Sequence, residues 1–68
     1  MTVARVTEIK ASSAESFDAA IREGLARARK TLENVTSAWI QDQEILLDDK
    51  GEIAEYRVLM KITFILTD

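Results

Sequence analysis

The sequence predicts an α+β fold with the order β-α-β-β, in which one helix packs on one face of a three-stranded antiparallel sheet. Apolar residues recur at helical spacing in the first half of the chain and alternate with other residues in the last third. A turn signal separates the last two strands. We assign residues 1–68 to a single domain, because a chain of 68 residues has room for one small core.

The first strand is indicated by the segment VARVTEIK, residues 3–10, in which Val3, Val6 and Ile9 are β-branched. These residues do not alternate regularly with polar ones. The composition of the segment therefore predicts this strand better than its pattern does.

The helix is predicted to begin in the segment ASSAES, residues 11–16. Ser12 and Glu15 form a capping-box pattern there, and Asp18 places negative charge in the first turn. Gly24 costs about 1 kcal/mol relative to alanine in a helix interior, so its presence indicates close packing of the helix on the sheet. The apolar stripe of the predicted helix consists of Phe17, Ile21, Leu25, Ala28 and Leu32.

The second and third strands are predicted to form a hairpin. Every second residue from Tyr56 to Leu66 is apolar, which is typical of a long strand with one continuous buried face. The preceding segment LLDDKGE has two aspartates that favour a turn, and Gly51 can adopt a positive φ. Residues 35–47 are therefore predicted to be the antiparallel partner of the last strand.

A single helix leaves the other face of the sheet uncovered. If Ile40 faces the helix, Trp39 lies on the uncovered face with the residues that share its parity in this strand, Ser37, Gln41 and Gln43. From the last strand this face receives Arg57, Leu59, Lys61 and Ile65. Trp39 and Arg57 are expected to be near neighbours, because the hairpin pairs their strands directly.

Apolar area on an uncovered face predicts homo-oligomerisation, since a chain this short without cysteine is marginally stable alone. Trp39 is then either an interface anchor or a stacking platform for a planar ligand. The residues alone leave both interpretations open.

Composition excludes several classes of function. Without histidine and cysteine, the chain lacks the usual general base and any thiolate metal site, and its serines have no base to activate them. We therefore predict no enzyme, no catalytic residues and no metal ligands. A formal net charge of −3 argues against a nucleic-acid partner. The chain has neither a membrane-spanning stretch nor a signal-peptide pattern, which indicates a cytoplasmic protein.

The whole chain resembles a dodecin. The resemblance rests on the complete β-α-β-β layout, on the segment TEIKASSAESFDAAIREGLARARKTLENV and on the long hairpin that ends in EYRVLMKITFIL. It implies a hollow homododecamer that binds a flavin, either riboflavin, FMN or FAD. Storage or sequestration of the flavin, without catalysis, is the function that the resemblance implies.

In flavin-binding dodecins, a tryptophan early in the second strand stacks on the isoalloxazine ring, and a glutamine in the third strand binds its polar edge. Aligned without gaps, these positions fall on Ser37 and Arg57. An acidic residue near the flavin, followed by glutamine, matches Asp42 and Gln43. Trp39 lies two residues beyond the family position and can stack a ring in a shifted pose. With Gln41 included, the candidate flavin-binding residues are Ser37, Trp39, Gln41, Asp42, Gln43 and Arg57.

The alternative is a structural or cation-binding shell that has lost flavin binding, because some dodecins without the flavin residues bind cations instead. Acidic residues surround the predicted hairpin turn, and carboxylate oxygens suit hard cations. The simpler interpretation of these residues is a solvated hairpin tip. They are Asp48, Asp49, Glu52 and Glu55.

Overall fold

The computed structural model describes residues 2–67, and it has the predicted order of elements. Strand β1 spans Ala4–Ser13, helix α1 Phe17–Ala28, strand β2 Val35–Leu47 and strand β3 Ile53–Ile65. The strands form one sheet in the order β1-β3-β2, and β3 pairs antiparallel with both neighbours. The helix packs on one face of this sheet, over β1 and β3. The predicted fold class is confirmed.

The helix begins later than the capping-box pattern predicts. Its N-cap is Ser16, whose hydroxyl oxygen accepts a hydrogen bond from the backbone N–H of Ala19 at 2.9 Å. Ser12 instead belongs to β1, because the pairing with β3 continues as far as Ser13 opposite Tyr56. The predicted cap is therefore wrong: at these residues the hydrogen bonds of the β-ladder replace those of a helix start.

The first turn of α1 carries the acidic residue that the sequence predicts. Arg22 Nε donates a hydrogen bond to the Asp18 carboxylate at 2.8 Å, and both side chains are exposed. This hydrogen bond and the charge of Asp18 raise the pKa of Arg22 above its ordinary value. Exposed pairs of this kind contribute little to stability, because water and salt screen the two charges.

Small residues form the contact between the helix and the sheet. Ala20, Gly24 and Ala28 are the buried positions of α1, whereas Leu25 is only half-buried. Leu32, the last residue of the predicted stripe, lies beyond the end of the helix at Ala28. The stripe is therefore shorter than predicted, and its centre is at the small residues because the helix backbone lies close to the sheet.

The core is centred on β3, the middle strand. Val58, Met60 and Ile62 are fully buried at alternate positions of β3, as the alternation predicts. Leu66, the last residue of that alternation, lies beyond β3 and is 47% exposed. Toward the helix N-terminus, Tyr56 packs edge-on against Phe17, with ring centroids 5.2 Å apart. The remaining half-buried residues that pack against the core are Ile9, Ala11, Ile21 and Ile40.

The structure confirms the close approach predicted at Gly24. A Cβ atom added there would lie 2.5 Å from Met60 Cε and 3.0 Å from Ala11 Cβ. Both distances are shorter than ordinary van der Waals contacts between carbon atoms, about 3.5–4.0 Å. Glycine at this position therefore lets α1 pack directly on β1 and β3.

Gly24→Ala is expected to lower the thermal unfolding midpoint, although alanine favours helix by about 1 kcal/mol. Overpacking of a core typically costs about 1–3 kcal/mol. Here the end of the Met60 side chain must move, and Ala11 Cβ can move only together with the backbone of β1. The measurement is thermal unfolding at one fixed protein concentration. Glu23→Ala is the matched control, because this neighbouring helical residue is exposed. A midpoint for Gly24→Ala above that of the parent would contradict the close packing.

Irregularities in the β2–β3 pairing decide which β2 residues face away from the helix. The register shifts between Val35 and Ser37, between Ile40 and Asp42, and between Leu46 and Leu47. Gln41 is the residue that the second shift leaves without a directly opposed partner in β3. Such a bulge reverses the alternation of side chains along the strand that carries it.

Candidate functional site

The face of the sheet that points away from α1, called the open face below, is formed by all three strands. Its orientation follows from the buried residues of β3, because residues adjacent to them in the strand point to the opposite side. Directly opposed residues share a face, so the register identifies the members from β1 and β2. Four cross-strand rows result: Val6–Thr63–Ser37, Glu8–Lys61–Trp39, Lys10–Leu59–Asp42 and Ser12–Arg57–Glu44.

Trp39 lies on the open face, as predicted. It is 64% exposed and stands directly opposite Lys61. Ser37 lies on the same face opposite Thr63, two residues before Trp39. The largest side chain of the protein is therefore not used in the core of the chain, which leaves it available to a partner or a ligand.

The bulge at Gln41 corrects the predicted faces of its neighbours. Gln43 was predicted to share the face of Trp39. It instead stands opposite the buried Val58 and so lies on the other face. Asp42 takes that position instead, opposite Leu59. The cause is the extra residue in β2, which exchanges the two faces for the residues that follow it.

Lys61 is the charged residue next to Trp39. Its Nζ lies over the indole, 5.5 Å from the ring centroid, which is within the range of a cation–π contact. On the β1 side, Lys61 stands opposite Glu8. Within residues 2–67, no ion pair joins Lys61 to Glu8, so the lysine interacts with the aromatic ring rather than with the carboxylate.

Arg57 is not the near neighbour of Trp39 that the sequence predicts. It lies on the open face, but opposite Ser12 and Glu44. Arg57 lies four positions from Lys61 along β3, which corresponds to about 13 Å. Lys61 is predicted from the sequence to lie on this face, but not to be a site residue. Counting outward from the hairpin turn would have paired it with Trp39.

A shallow depression of about 300 Å³ lies at the Arg57 end of the open face. Arg57 is half-buried there, with its Nη2 4.0 Å from Glu55 Oε2. The depression brings together three of the predicted site residues, Asp42, Gln43 and Arg57. Of these, Gln43 belongs to the other face of the sheet. The lining of the depression consists of Lys10, Asp42, Gln43, Glu44, Arg57 and Leu59.

The acidic residues of the hairpin tip serve the turn. Asp48 Oδ1 accepts hydrogen bonds from the backbone N–H groups of Lys50 at 2.9 Å and Glu52 at 3.0 Å. Gly51 completes the turn with a φ of 79°. Among the described residues, no three acidic side chains come together in a group that could bind a metal ion. Over the same range, α1 has neither the length nor the hydropathy of a transmembrane helix.

The sequence and the fold match a known family. The family model described as Dodecin matches residues 3–67. The chain belongs to the dodecin family. Among curated proteins, this dodecin is 30% identical over 64 residues to the calcium dodecin of Mycobacterium tuberculosis, covering 94% of this chain and 89% of the relative.

Solved dodecin structures have the same fold. A dodecin from Streptomyces davaonensis is 39% identical, with a TM-score of 0.92 and coverage of 98% of this chain and 97% of that one. A single-residue variant of the Thermus thermophilus dodecin is 31% identical, with a TM-score of 0.93 and full coverage of both chains. The calcium dodecin has a TM-score of 0.84 at 28% identity, with coverage of 96% and 91%, and its structure contains a calcium-binding site.

Proposed function

We propose that this dodecin assembles as a homododecameric shell that binds a flavin on its open face and stores or sequesters it without catalysis. Trp39 carries the proposal, because a 64% exposed indole stands on a sheet face that the helix does not cover. Storage requires a surface that stacks on the isoalloxazine ring and polar groups that orient it. It requires no general base or nucleophile.

Self-assembly is supported by the amount of apolar surface that the chain leaves exposed. The fully buried side chains of the core are few, which is expected for a domain of this size. In addition to Trp39, large apolar side chains are exposed at both ends of the sheet and on the hairpin. They are Val3, Val6, Ile45, Leu47, Ile53 and Leu66. Contact with other copies of the chain would bury them.

Polar groups that line the depression at the Arg57 end of the open face suit the edge of a flavin ring. Asp42, which the bulge turns toward the open face, can accept a hydrogen bond from a ring N–H. Arg57 can only donate, so it suits a carbonyl oxygen or a phosphate. Gln43 lines the same depression, and Gln41 precedes Asp42 at the bulge. Ser37 leaves space beside the indole, because it is small.

Titration of riboflavin and FMN with the purified full-length protein tests the proposal. We expect saturable quenching of flavin fluorescence, because stacking on an indole quenches the excited ring. Sedimentation analysis of the same sample should show a closed assembly near twelve subunits. Unchanged flavin fluorescence at micromolar protein, in a sample that is folded and assembled, would contradict flavin binding.

The second candidate is a cation-binding shell, which the 30% identity to the calcium dodecin favours. In an assembly, carboxylates of neighbouring copies can combine, and calcium takes 6–8 oxygen ligands. Glu8, Asp42 and Glu44 supply such oxygens on the open face. Calorimetric titration with calcium chloride distinguishes the two functions: heat of calcium binding together with unchanged flavin fluorescence supports the cation-binding shell.

A further inference from the structure

We infer that Lys61 determines the specificity of the Trp39 site by charge, so that anionic planar ligands bind in preference to neutral or cationic ones of the same shape. The inference rests on the proposed function for the identity of the ligand, but its physical basis is the contact between Lys61 and Trp39. The flavin of the proposed function would then be one that carries a phosphate.

The contact places a positive charge on one face of the indole. Lys61 is half-buried, and its Nζ lies 5.5 Å from the ring centroid. The stem of a lysine covers apolar surface while its ammonium group stays in water. Since Trp39 remains 64% exposed with the lysine in place, the rest of its surface is accessible to a ligand.

A ligand meets this charge on either face of the ring. If it stacks on the face that Lys61 covers, the ammonium group must move to the rim of the ligand. An anionic group on the ligand then forms an ion pair that replaces the cation–π contact, whereas a neutral ring offers no replacement. If it stacks on the other face, the ammonium group still lies within about a Debye length, ~8–10 Å.

The two carboxylates of the open face that are nearest to Trp39 oppose this effect but lie farther from the indole than Lys61 does. Glu8 is two strands from Trp39, about 10 Å, because neighbouring strands are about 4.8 Å apart. Asp42 lies one row along the sheet, about 7 Å from the row of Trp39. Lys61 is therefore the charge that a ring stacked on Trp39 meets first.

Collisional quenching of tryptophan fluorescence tests the charge without any flavin, because Trp39 is the only tryptophan. Iodide, caesium and acrylamide serve as anionic, cationic and neutral quenchers of the assembled protein. We expect iodide to quench more efficiently than caesium. Lys61→Met should lower the ratio of the iodide to the caesium quenching constant about two- to fivefold, the factor that corresponds to the free energy of an exposed ion pair. Acrylamide quenching should remain the same, since methionine preserves the length of the stem.

The matched control is Lys50→Met, which removes the same charge at the exposed hairpin turn. It should leave the iodide-to-caesium ratio unchanged. Equal ratios in the parent and in Lys61→Met, with unchanged acrylamide quenching, would overturn the inference.

Flavin titration extends the test to the ligand. The parent should bind FMN more tightly than riboflavin at 50 mM salt, and the preference should diminish at 500 mM because salt screens exposed charges. Lys61→Met should reduce the preference about two- to fivefold. Equal affinities for both flavins in the parent would overturn the inference and leave the proposed function intact. If neither flavin binds while the quenching ratio responds as expected, the proposed function is wrong and the charge selection at Trp39 stands.

Discussion

Met60→Ala is expected to lower the free energy of unfolding by about 2–5 kcal/mol, the usual cost of truncating a buried methionine. Met60 is fully buried and lies in the middle strand of the sheet. It stands opposite Ile9 in β1 and Ile40 in β2, and its Cε lies under Gly24 of the helix. All four elements therefore lose contacts when this side chain is shortened.

Denaturant unfolding at fixed protein concentration measures the effect, because assembly makes stability depend on concentration. Met60→Leu is the matched control, since volume-conserving exchanges in a core usually cost less than about 1.5 kcal/mol. We also expect Met60→Ala to reduce the fraction of assembled protein. A loss of less than about 1 kcal/mol would mean that the core is not centred on β3.

The sequence predicted the order and type of the elements because their hydrophobic periods differ clearly. The alternation around Val58, Met60 and Ile62 is regular, and the helical spacing from Phe17 to Ala28 is equally clear. The helix start was predicted wrongly, because Ser12, Ser13 and Ser16 are all good cap residues. Only the pairing of β1 with β3 excludes Ser12, and that pairing joins residues distant in sequence.

The open face was predicted correctly at Trp39 and incorrectly a few residues later. The bulge at Gln41 lies in the polar segment QDQ, where no alternation of apolar residues could reveal an extra residue. A second irregularity, at Ala54 in β3, shifts the register in the opposite direction. Residues beyond both irregularities are therefore paired as a count outward from the hairpin turn predicts. The face of Trp39 was predicted from Ile40, which stands opposite buried Met60, and no irregularity separates Trp39 from Ile40. Asp42 and Gln43 lie beyond the bulge at Gln41 and therefore exchange faces.

Neither the periodicity nor the family alignment indicated Lys61 as a candidate site residue. A lysine at an uncovered position of a strand is usually solvated, and nothing in the sequence distinguishes it from Lys10 on the same face. The distinction arises from the register, which places Lys61 and not Arg57 opposite Trp39. The family position of the flavin-binding glutamine falls on Arg57, which lies at the other end of the open face.

Trp39→Ala is expected to weaken flavin binding roughly tenfold or more, because stacking of a planar base on an aromatic side chain is worth ~1–3 kcal/mol by alanine substitution. The isoalloxazine ring is planar and would stack in the same manner. Trp39→Phe is the matched control, since it keeps an aromatic surface at the same position and should retain most of the affinity. Fluorescence titration with FMN and sedimentation analysis are carried out on all three proteins.

The two measurements together separate the roles left open for Trp39. If the indole stacks on the ligand, Trp39→Ala lowers the affinity for FMN, while the size of the assembly stays the same. If the indole instead anchors a contact between subunits, Trp39→Ala shifts the assembly toward smaller species, and the affinity per assembled subunit does not change. Lys61 adds a further distinction: if the indole holds the ligand beside the lysine, Lys61→Met should have little further effect on FMN affinity in Trp39→Ala. Non-additivity of Trp39→Ala and Lys61→Met would therefore support a ligand stacked beside the lysine, whereas full additivity would contradict it.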